Sequence, residues 1–370
     1  MKISEIKVKN KETKYSIFIG LGSLNLLQKK IKLNFPNTTK IGIVIDKNIP
    51  SNFKSKIKNS LKNYKLYVYE YSVNENLKSF NNANNLAENL LKNNFNRNDC
   101  VIAVGGGIIG DFASFVASIV KRGINFINIP STLLAQVDSC IGGKTAVNSK
   151  KGKNLIGSFY QPKLVISELG FLKSLPRREM TCGFAEILKH SLIHDNYYFN
   201  FLKKNSKNIL EKKNYSVLNQ AITKSCKIKL HFVNQDEKED NKRMILNFGH
   251  TFAHGIEAAK GFTKKINHGE AVLIGMFLAS KLSLRKKICS ISNFKKIEDV
   301  YFANNLPNKL SNYFSKKDLR LIVKFMARDK KNKDHKISLI LLKKIGKTTA
   351  PGNFKITSNK MIKVLNNLYL

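Results

Sequence analysis

The segment Cys100-Val-Ile-Ala-Val-Gly-Gly-Gly-Ile-Ile-Gly-Asp111 joins a short apolar run to a glycine-rich turn. The run Cys100–Val104 predicts a buried strand, and Asp111–Lys121 after it has helical periodicity. Glycines between a strand and a helix let backbone N–H groups approach a phosphate at the helix N-terminus. The spacing GGGxxGD departs from the usual GxGxxG fingerprint and does not follow the first strand. By itself, the turn is therefore weak evidence for nucleotide binding.

Short apolar runs on both sides of this turn alternate with helical stretches, as in an α/β protein. We predict buried strands and, between two of them, a helix over Ser79–Asn93. The predicted strands are Ile41–Asp46, Lys65–Glu70, Cys100–Val104, Phe126–Pro130 and Leu164–Ser167. The pattern predicts a Rossmann-like α/β domain over residues 1–175.

After Leu175-Pro176, apolar residues recur at three- and four-residue spacing and strand-like runs almost vanish. This pattern predicts a mostly α-helical domain over residues 176–370. The predicted helical stretches are Cys182–Ile193, Val217–Phe232, Gly269–Lys281 and Ile297–Asn304.

Length and composition are those of a globular protein. The 370 residues are enough for two domains, and 42% of them are hydrophobic. The sequence has no apolar run long enough to cross a bilayer, and Met1–Asn10 has no signal-peptide core. Five scattered cysteines without a CxxC pair indicate reduced thiols. We therefore expect a cytoplasmic protein with no membrane partner.

The charge balance is strongly basic, because 65 Lys and Arg residues against 25 Asp and Glu give +40. Such a charge often indicates a nucleic-acid partner. Here the excess is spread along the whole chain, and no helix-turn-helix or RNA-binding signature accompanies it. A compositional drift towards Lys, Asn and Ile explains the charge more simply, so we expect no nucleic-acid role.

Three separate patches supply one carboxylate and two imidazoles. Glu186 lies in GFAEILKH, His250 in NFGHTFAH and His268 in HGE. Two nitrogens and one oxygen form the donor set of catalytic Zn²⁺ or Co²⁺ sites that keep a position open for substrate. Together with the glycine turn, this donor set predicts an enzyme that handles a hydroxyl group with NAD.

Long motifs continue in order after the glycine turn: IPSTLLAQVDS, IGGKTAVN and GKNLIGSFYQP, between Ile129 and Pro162. With them the chain resembles the 3-dehydroquinate synthase family. The resemblance is nearly unbroken from Val101 to Asp195, resumes through Ala221–Ser283 and weakens towards both termini. It implies an NAD-binding N-terminal domain, a metal- and substrate-binding C-terminal domain, and an active site in the cleft between them.

The resemblance implies conversion of 3-deoxy-D-arabino-heptulosonate 7-phosphate to 3-dehydroquinate and phosphate. In this family, NAD⁺ transiently oxidises the C5 hydroxyl, phosphate is eliminated and the hydride returns. Ring opening and an intramolecular aldol closure follow. The implied cofactors are NAD, which is regenerated in each turnover, and a Zn or Co ion that acts as a Lewis acid.

The implied metal ligands are Glu186, His250 and His268, while His190 packs against them or supports them. The implied substrate-binding positions are mostly cations and amides, which suit a phosphate and a carboxylate. They are Arg122, Asp138, Lys144, Asn154, Lys189, Lys229, Arg243, Asn247 and His254. The implied catalytic residues are Lys144, Lys189, Glu239, Arg243 and His254. Glu239 equally fits a solvated acidic run over Asp236–Asp240.

The implied cofactor contacts gather around the predicted strand ends. They are Asp46, Asn48, Glu75, Lys78, Gly106, Gly107, Ile108, Ile109, Gly110, Asp111, Ser131, Thr132, Lys144, Lys153, Phe171, Leu172, Lys173 and Ser174. Asp46 could equally cap the helix after its strand. Val73-Asn74 replaces the family's Asp-Gly, and Asn241 replaces a glycine. Because Asn tolerates a left-handed turn, we expect both bends and the activity to be retained.

Arg122 resembles a family arginine that reaches the neighbouring subunit's site, which implies a homodimer. Other sugar-phosphate cyclases share the NAD-and-metal chemistry, and polyol dehydrogenases share the fold but carry out a net redox change. A nucleic-acid-binding protein is the alternative from a different class. The intact Lys-Asn and Arg-x-x-x-Asn patterns favour the dehydroquinate branch.

Overall fold

The computed structural model describes residues 2–9, 13–261, 263, 265–328 and 336–369. Contacts between Cα atoms divide the chain into two compact units. The first unit contains Met1–Met180 and Lys213–Leu230, and the second contains Thr181–Lys212 and His231–Leu370. The segment Lys213–Leu230 thus groups with the α/β part, although it follows the domain boundary predicted at residue 175.

A seven-stranded sheet forms the centre of the first unit, in the order β1-β2-β9-β6-β5-β3-β4. Its strands are β1 (Ser4–Lys9), β2 (Lys14–Gly20), β3 (Lys40–Asp46), β4 (Lys65–Tyr71), β5 (Cys100–Gly105), β6 (Asn125–Pro130) and β9 (Leu164–Glu168). β1 pairs antiparallel with β2, and the other neighbours pair in parallel. The sheet confirms all five predicted strands.

Both faces of the sheet are covered. Ile43 and Ile102 pack into one core cluster, whereas their chain neighbours Val44 and Ala103 pack into another. This alternation explains the continuous apolar runs, because a parallel strand covered on both faces has no polar side. The helices of this part are α1 (Leu27–Asn34), α2 (Ser51–Ser60), α3 (Phe80–Lys92) and α4 (Gly107–Ile119).

The edge strand β4 differs from the prediction of a buried strand over Lys65–Glu70. Its side chains are exposed or half-buried, because β4 lies at the end of the sheet order. Sequence analysis also missed the antiparallel strands β1 and β2. It missed the hairpin of β7 (Lys144–Ser149) and β8 (Gly152–Phe159), whose residues are mostly exposed or half-buried. Such a hairpin needs no regular apolar pattern.

The second unit is mostly helical, as predicted. Helices in the C-terminal half are α5 (Arg177–His194), α6 (Asn196–Leu210), α7 (Tyr215–Gln235), α8 (His250–Ala259), α9 (His268–Arg285), α10 (Ile291–Ala303), α11 (Leu319–Ala327) and α12 (Ser358–Leu368). The short strands β10 (Lys336–Ser338), β11 (Leu342–Lys344), β12 (Lys347–Thr348) and β13 (Lys355–Thr357) form two small sheets. Within the described ranges, no helix has the length and apolarity needed to span a membrane.

Candidate functional site

The three predicted metal ligands meet in the second unit. Glu186 lies within α5, His250 is the first residue of α8, and His268 is the first residue of α9. One ligand atom from each lies within 4.8 Å of the other two. The Nε2 atoms of His250 and His268 are 3.5 and 3.8 Å from Oε1 of Glu186. The three helices therefore aim one oxygen and two nitrogens at a common point.

Two glycines permit the close helix packing that this convergence needs. A Cβ atom on Gly269, next to His268, would lie 2.6 Å from the carbonyl oxygen of Cys182 on α5. A Cβ atom on Gly249, next to His250, would lie 2.8 Å from the backbone nitrogen of Met276 on α9. Gly249 also has φ +81, which favours glycine. The two histidines thus begin helices whose backbones touch their neighbours.

Each ligand histidine turns its second ring nitrogen away from Glu186. Nδ1 of His268 is 3.3 Å from Oε2 of Glu257, and Nδ1 of His250 is 3.4 Å from the carbonyl oxygen of Phe248. A ring that donates Nδ1–H to such a partner leaves its Nε2 lone pair available for a metal. Sequence analysis missed Glu257, although the spacing of His250, His254 and Glu257 places all three on one face of α8.

The Glu186 carboxylate is fully buried, and within the described chain neither oxygen has a hydrogen bond of normal geometry. The ammonium group of Lys189, one turn later and itself buried, contacts Oε2. A buried carboxylate needs a compensating positive charge. Because Oε1 faces two imidazoles and Oε2 faces Lys189, the donor set fits a divalent cation beside Oε1.

His254 and the segment before α8 lie beside this cluster in the chain. The rings of His254 and His250 are 5.7 Å apart. Arg243 and Asn247 belong to a short 3-10 helix, Lys242–Asn247, and α8 does not extend back to them. The Asn247 amide donates to Oε1 of Glu239 at 2.8 Å, and Glu239 is half-buried. This contact favours a binding role for Glu239 over a fully solvated acidic run.

Asp236, which sequence analysis did not select, organises this segment. Its carboxylate accepts backbone N–H bonds from Asp240 at 3.0 Å, Asn241 at 2.7 Å and Arg243 at 3.0 Å. Burial raises the pKa of Asp236, but these backbone hydrogen bonds together lower it by more, so the net shift of the pKa is downward. The carboxylate therefore holds the loop that carries Glu239 and Arg243.

The expectation of left-handed asparagines is wrong. Asn74 has φ −150 and Asn241 has φ −145, so both are extended. The left-handed residue of the second loop is Glu239, with φ 64. Asn74 instead caps a short 3-10 helix, because its side chain accepts the N–H of Asn76. The chain forms these two turns without a left-handed residue at the positions where the family has glycine.

In the first unit, most of the predicted cofactor residues follow the carboxyl ends of parallel strands. Each group comes after a different strand, and such ends share one edge of a sheet, the usual place for nucleotides in α/β folds. Asp46 ends β3 and Asn48 follows it, Glu75 and Lys78 follow β4, Gly106–Asp111 follow β5, Ser131 and Thr132 follow β6, and Phe171–Ser174 follow β9, whereas Lys144 and Lys153 lie on the hairpin of β7 and β8.

The glycine turn forms the start of α4. Gly106 has φ −74, and Gly107 and Gly110 are helical, so none of them needs a glycine-specific backbone conformation. A Cβ atom on them would meet only side-chain atoms, at 3.2 to 3.3 Å. These distances are tight, so close packing against the side chains of Thr132, Ser139 and Asn128 is one reason for glycine at the three positions. A second reason is a ligand that approaches the backbone, and the start of a helix fits a pyrophosphate.

Next to this turn, charged residues form a network. The Lys78 ammonium donates to Oδ2 of Asp111 at 2.7 Å and to Oδ1 of Asn154 at 2.5 Å. Lys153 pairs with Glu75 at 3.0 Å. These five residues come from three predicted segments, and the structure brings them together.

Asn148 joins the two halves of this network and was missed from the sequence. Its amide nitrogen donates to Oε1 of Glu75 at 2.8 Å, and its amide oxygen accepts the backbone N–H of Asn154 at 2.9 Å. It lies on β7, within the motif IGGKTAVN that marked this region. Only the folded hairpin shows that its side chain serves both partners.

Some predicted contacts are placed differently. Asp46 accepts the N–H of Asn48 at 2.9 Å, and Pro50 is the N-cap of α2, so the alternative role of Asp46 as a helix cap is wrong. The side chains of Phe171 and Leu172 are buried in the core, which leaves their backbone, Lys173 and Ser174 for a ligand. Ile109 is likewise fully buried, and Ile108 is half-buried.

Asp138 and Lys229 form a pair in the first unit. The Lys229 ammonium donates to Oδ1 of Asp138 at 2.7 Å and to its carbonyl oxygen at 2.5 Å. Lys144 begins β7 and lines a pocket with Gly110 and Asp111. These cations and carboxylates offer charge-assisted contacts to an anionic ligand.

Arg122 is exposed at the end of α4 in a strained segment. Lys121 has φ 51 and Arg122 has φ 63, and Gly123 follows with φ 117. Two consecutive left-handed residues that are not glycine are uncommon and show that the backbone is strained here. The hydroxyl of Ser158 on β8 donates a hydrogen bond to the hydroxyl of Ser118 on α4, so β8 lies beside the helix that precedes Arg122.

Known proteins match this chain over most of its length. Residues 68–182 match the family model of the 3-dehydroquinate synthase N-terminal part, and residues 183–332 match that of its C-terminal part. The 3-dehydroquinate synthase of Pelagibacter ubique is 49% identical over 346 residues, 94% of each chain. That of Dictyoglomus thermophilum is 42% identical over 95% of this chain and 96% of its own.

A solved structure has the same fold. It is a 2-deoxy-scyllo-inosose synthase complexed with carbaglucose-6-phosphate, NAD⁺ and Co²⁺. It superposes with a TM-score of 0.86 at 25% identity and covers 98% of this chain and 99% of its own.

Proposed function

This chain belongs to the 3-dehydroquinate synthase family, and we propose that it binds NAD in its first unit and one divalent metal ion at Glu186, His250 and His268. The enzyme converts 3-deoxy-D-arabino-heptulosonate 7-phosphate to 3-dehydroquinate and phosphate in the shikimate pathway. The observation that carries the metal proposal is the convergence of one buried carboxylate and two imidazoles from three helices.

The metal proposal names the ligand atoms. His250 and His268 would bind through Nε2 and Glu186 through Oε1, because these atoms face one another. A bound Zn²⁺ or Co²⁺ ion supplies a Lewis acid for a substrate oxygen. Lys189 would keep the second carboxylate oxygen neutralised and hold Glu186 in position. The Co²⁺ in the related inosose synthase supports this proposal.

Residues next to the metal ligands would bind substrate and move protons. His254 follows His250 by one helical turn, so its ring can exchange a proton with a hydroxyl held beside the metal ligands. Arg243 offers a planar guanidinium group to a carboxylate or phosphate. Glu239 would handle a second proton, and its contact with Asn247 limits its orientation.

The first unit would hold NAD, which supplies a reversible hydride acceptor when bound. The N-terminus of α4 would bind the pyrophosphate through Gly106 and Gly107. Asp46 would hold ribose hydroxyls. Lys144, Asn154 and Lys229 would bind the anionic substrate and Asp138 one of its hydroxyls, in agreement with their charged and amide groups.

We further propose a homodimer in which Arg122 completes the partner's site. Support comes from the strained, exposed Arg122 and from exposed apolar side chains on two elements, namely Ile119 on α4, three residues before Arg122, and Leu155, Ile156 and Phe159 on β8. A surface of this kind is typical of an interface between subunits. None of the five cysteines, all within the described ranges, forms a disulfide, which supports a reducing, cytoplasmic location.

The dimer proposal has a direct complementation test. Arg122→Ala and His268→Ala are each expected to be inactive alone. After subunit exchange, a mixed dimer contains one intact site, built from the histidine of one chain and the arginine of the other. Half of the dimers are then mixed, so about a quarter of wild-type activity should return. An exclusively monomeric protein, or no recovery in proven mixed dimers, would overturn this proposal.

A phosphate-release assay tests the whole function. With the heptulosonate phosphate, release should require NAD⁺, stop with a chelator and resume with Zn²⁺ or Co²⁺. NADH should not accumulate, and the absorbance at its band should not rise, because the hydride returns to the substrate within each turnover. Stoichiometric NADH would indicate a dehydrogenase. Full activity in a verified metal-free preparation would refute the metal proposal.

A further inference from the structure

We propose that Glu257 is a positioning residue that orients the His268 ring for metal binding, an inference that rests on the metal site proposed above. Oε2 of Glu257 is 3.3 Å from Nδ1 of His268. Glu257 lies on α8 and His268 on α9, so this contact links the two helices that supply the histidine ligands.

The chemistry of imidazole explains why such a partner is needed. A neutral ring carries one proton, and only its unprotonated nitrogen can bind a metal. A carboxylate beside Nδ1 keeps the proton there, which leaves Nε2 unprotonated and facing Glu186 at 3.8 Å. Without Glu257, the tautomer with the proton on Nε2 would be populated and would compete with metal binding.

The backbone around His268 is already fixed by other contacts. Asn267 caps α9 through a reciprocal pair with Glu270, in which each side chain accepts the other's backbone N–H at 2.8 Å. Gly269 rests against Cys182 of α5. The remaining freedom of His268 is the rotation and tautomer of its ring, and Glu257 restricts both.

The geometry also separates the two ligand histidines. Nδ1 of His250 faces a backbone carbonyl oxygen at 3.4 Å, whereas Nδ1 of His268 faces a carboxylate. Hydrogen bonds to a charged acceptor are the stronger kind. The side chain of His268 is 32% exposed and that of His250 is 12% exposed. The more exposed ligand therefore has the charged partner, and Glu257 offsets the weaker packing of His268.

The test compares Glu257→Ala, Glu257→Gln and His268→Ala with Asp299→Asn, which removes a carboxylate from a surface pair with Lys203. Zn²⁺ affinity is measured by competition with a chromogenic chelator, and the visible spectrum of the Co²⁺-loaded protein reports on the ligands. Melting of the metal-free proteins checks folding.

We expect Glu257→Ala to weaken Zn²⁺ binding by about 10- to 100-fold and to change the Co²⁺ spectrum. Glu257→Gln should lie between Ala and wild type, because the amide oxygen still accepts a hydrogen bond without the charge. Asp299→Asn should match wild type. The metal-free melting temperatures should be similar, since the proposed role appears only when metal binds.

The outcomes separate the two proposals. If His268→Ala abolishes Zn²⁺ binding but Glu257→Ala leaves the affinity and the Co²⁺ spectrum unchanged, the positioning role is wrong and the metal site stands. If His268→Ala also binds Zn²⁺ normally, the proposed metal site itself is wrong. A Glu257→Ala protein that melts far below wild type without metal would show that Glu257 serves the fold, which also overturns the proposal.

Discussion

Three glycines at the start of α4 in the first unit pack against side chains, whereas two glycines of the second unit bring helix backbones into contact. At Gly106, Gly107 and Gly110, an added Cβ would meet side-chain atoms at 3.2 to 3.3 Å, and such atoms can move. At Gly249 and Gly269, it would meet backbone atoms at 2.8 and 2.6 Å, which cannot move without separating helices. Substitutions in the two units should therefore fail in different ways.

The two units also differ in where their proposed functional residues lie, because those of the second unit are on helices and most of those of the first unit follow strands. The proposed metal ligands are side chains on α5, α8 and α9, so their geometry depends on how the helices pack. Most of the proposed NAD-binding residues lie in turns after parallel strands, the usual place for nucleotides in α/β folds. Loss of packing should damage the metal centre first, while loss of space should damage NAD binding first.

The largest effect should follow from removal of a proposed metal ligand, which tests whether the three helices of the second unit form a metal site. His268→Ala should lose bound metal, and turnover should fall by more than about 100-fold, beyond the loss typical for a residue that only supports a ligand. Metal analysis and phosphate release measure both effects. His231→Ala, which removes an exposed imidazole from α7, is the control and should keep metal and activity.

The next effect tests the helix contact directly. Gly269→Ala should separate α9 from α5, cost about 1–3 kcal/mol of stability and weaken metal binding, since overpacking displaces the backbone. Thermal melting and Zn²⁺ titration measure these changes. Gly261→Ala, whose added Cβ meets no described atom within 4 Å, should lose some stability because its φ is +64, but it should retain metal affinity. Normal metal binding by Gly269→Ala would contradict the proposed role of this contact.

A smaller effect is expected from the first unit. Gly107→Ala should weaken NAD⁺ binding about tenfold, because a methyl group occupies space at the start of α4, and one lost charge-assisted contact has this size. Its metal content and melting temperature should stay close to wild type, since the Cβ meets only the side chain of Ser139. Calorimetric NAD⁺ titration tests this. A large loss of stability would erase the difference between the two units.

The smallest effect concerns the loop held by Asp236. The lowered pKa of Asp236 means that folding favours the ionised carboxylate. The ionised carboxylate therefore stabilises the folded state at pH values above 3.8, its ordinary pKa, and this stabilisation is lost as the pH falls through the lower pKa of the folded state. Asp236→Asn should melt a few degrees below wild type at pH 7 and raise KM for the substrate. The difference in melting temperature should close at acidic pH.

Asp240→Asn is the matched control for this loop. It removes the same charge but leaves the three backbone bonds to Asp236 in place. We expect its melting temperature and KM to match those of wild type at every pH. If both variants behave alike, the loop responds to net charge and not to the hydrogen bonds of Asp236.

Local sequence patterns determined the α/β and helical halves, because apolar spacing directly reflects which faces of a strand or helix are covered. The runs at Ile41, Cys100 and Phe126 predicted strands that the sheet contains. The same patterns could not show that β4 lies at the edge, since its position depends on which strands pair. The resemblance in the motifs around Glu186 and His250 supplied the donor set before any geometry was known.

Only the tertiary structure decided how the donors meet. The sequence places Glu186 and His268 82 residues apart, and their approach depends on helix contacts at Gly249 and Gly269. The contacts of Glu257, Asn148 and Asp236 likewise became visible only in the folded chain. Each acts through a hydrogen bond whose partner is fixed by the folded backbone, and a residue type alone carries no record of that partner. Sequence thus determined which chemical groups are present, and packing decided which of them touch.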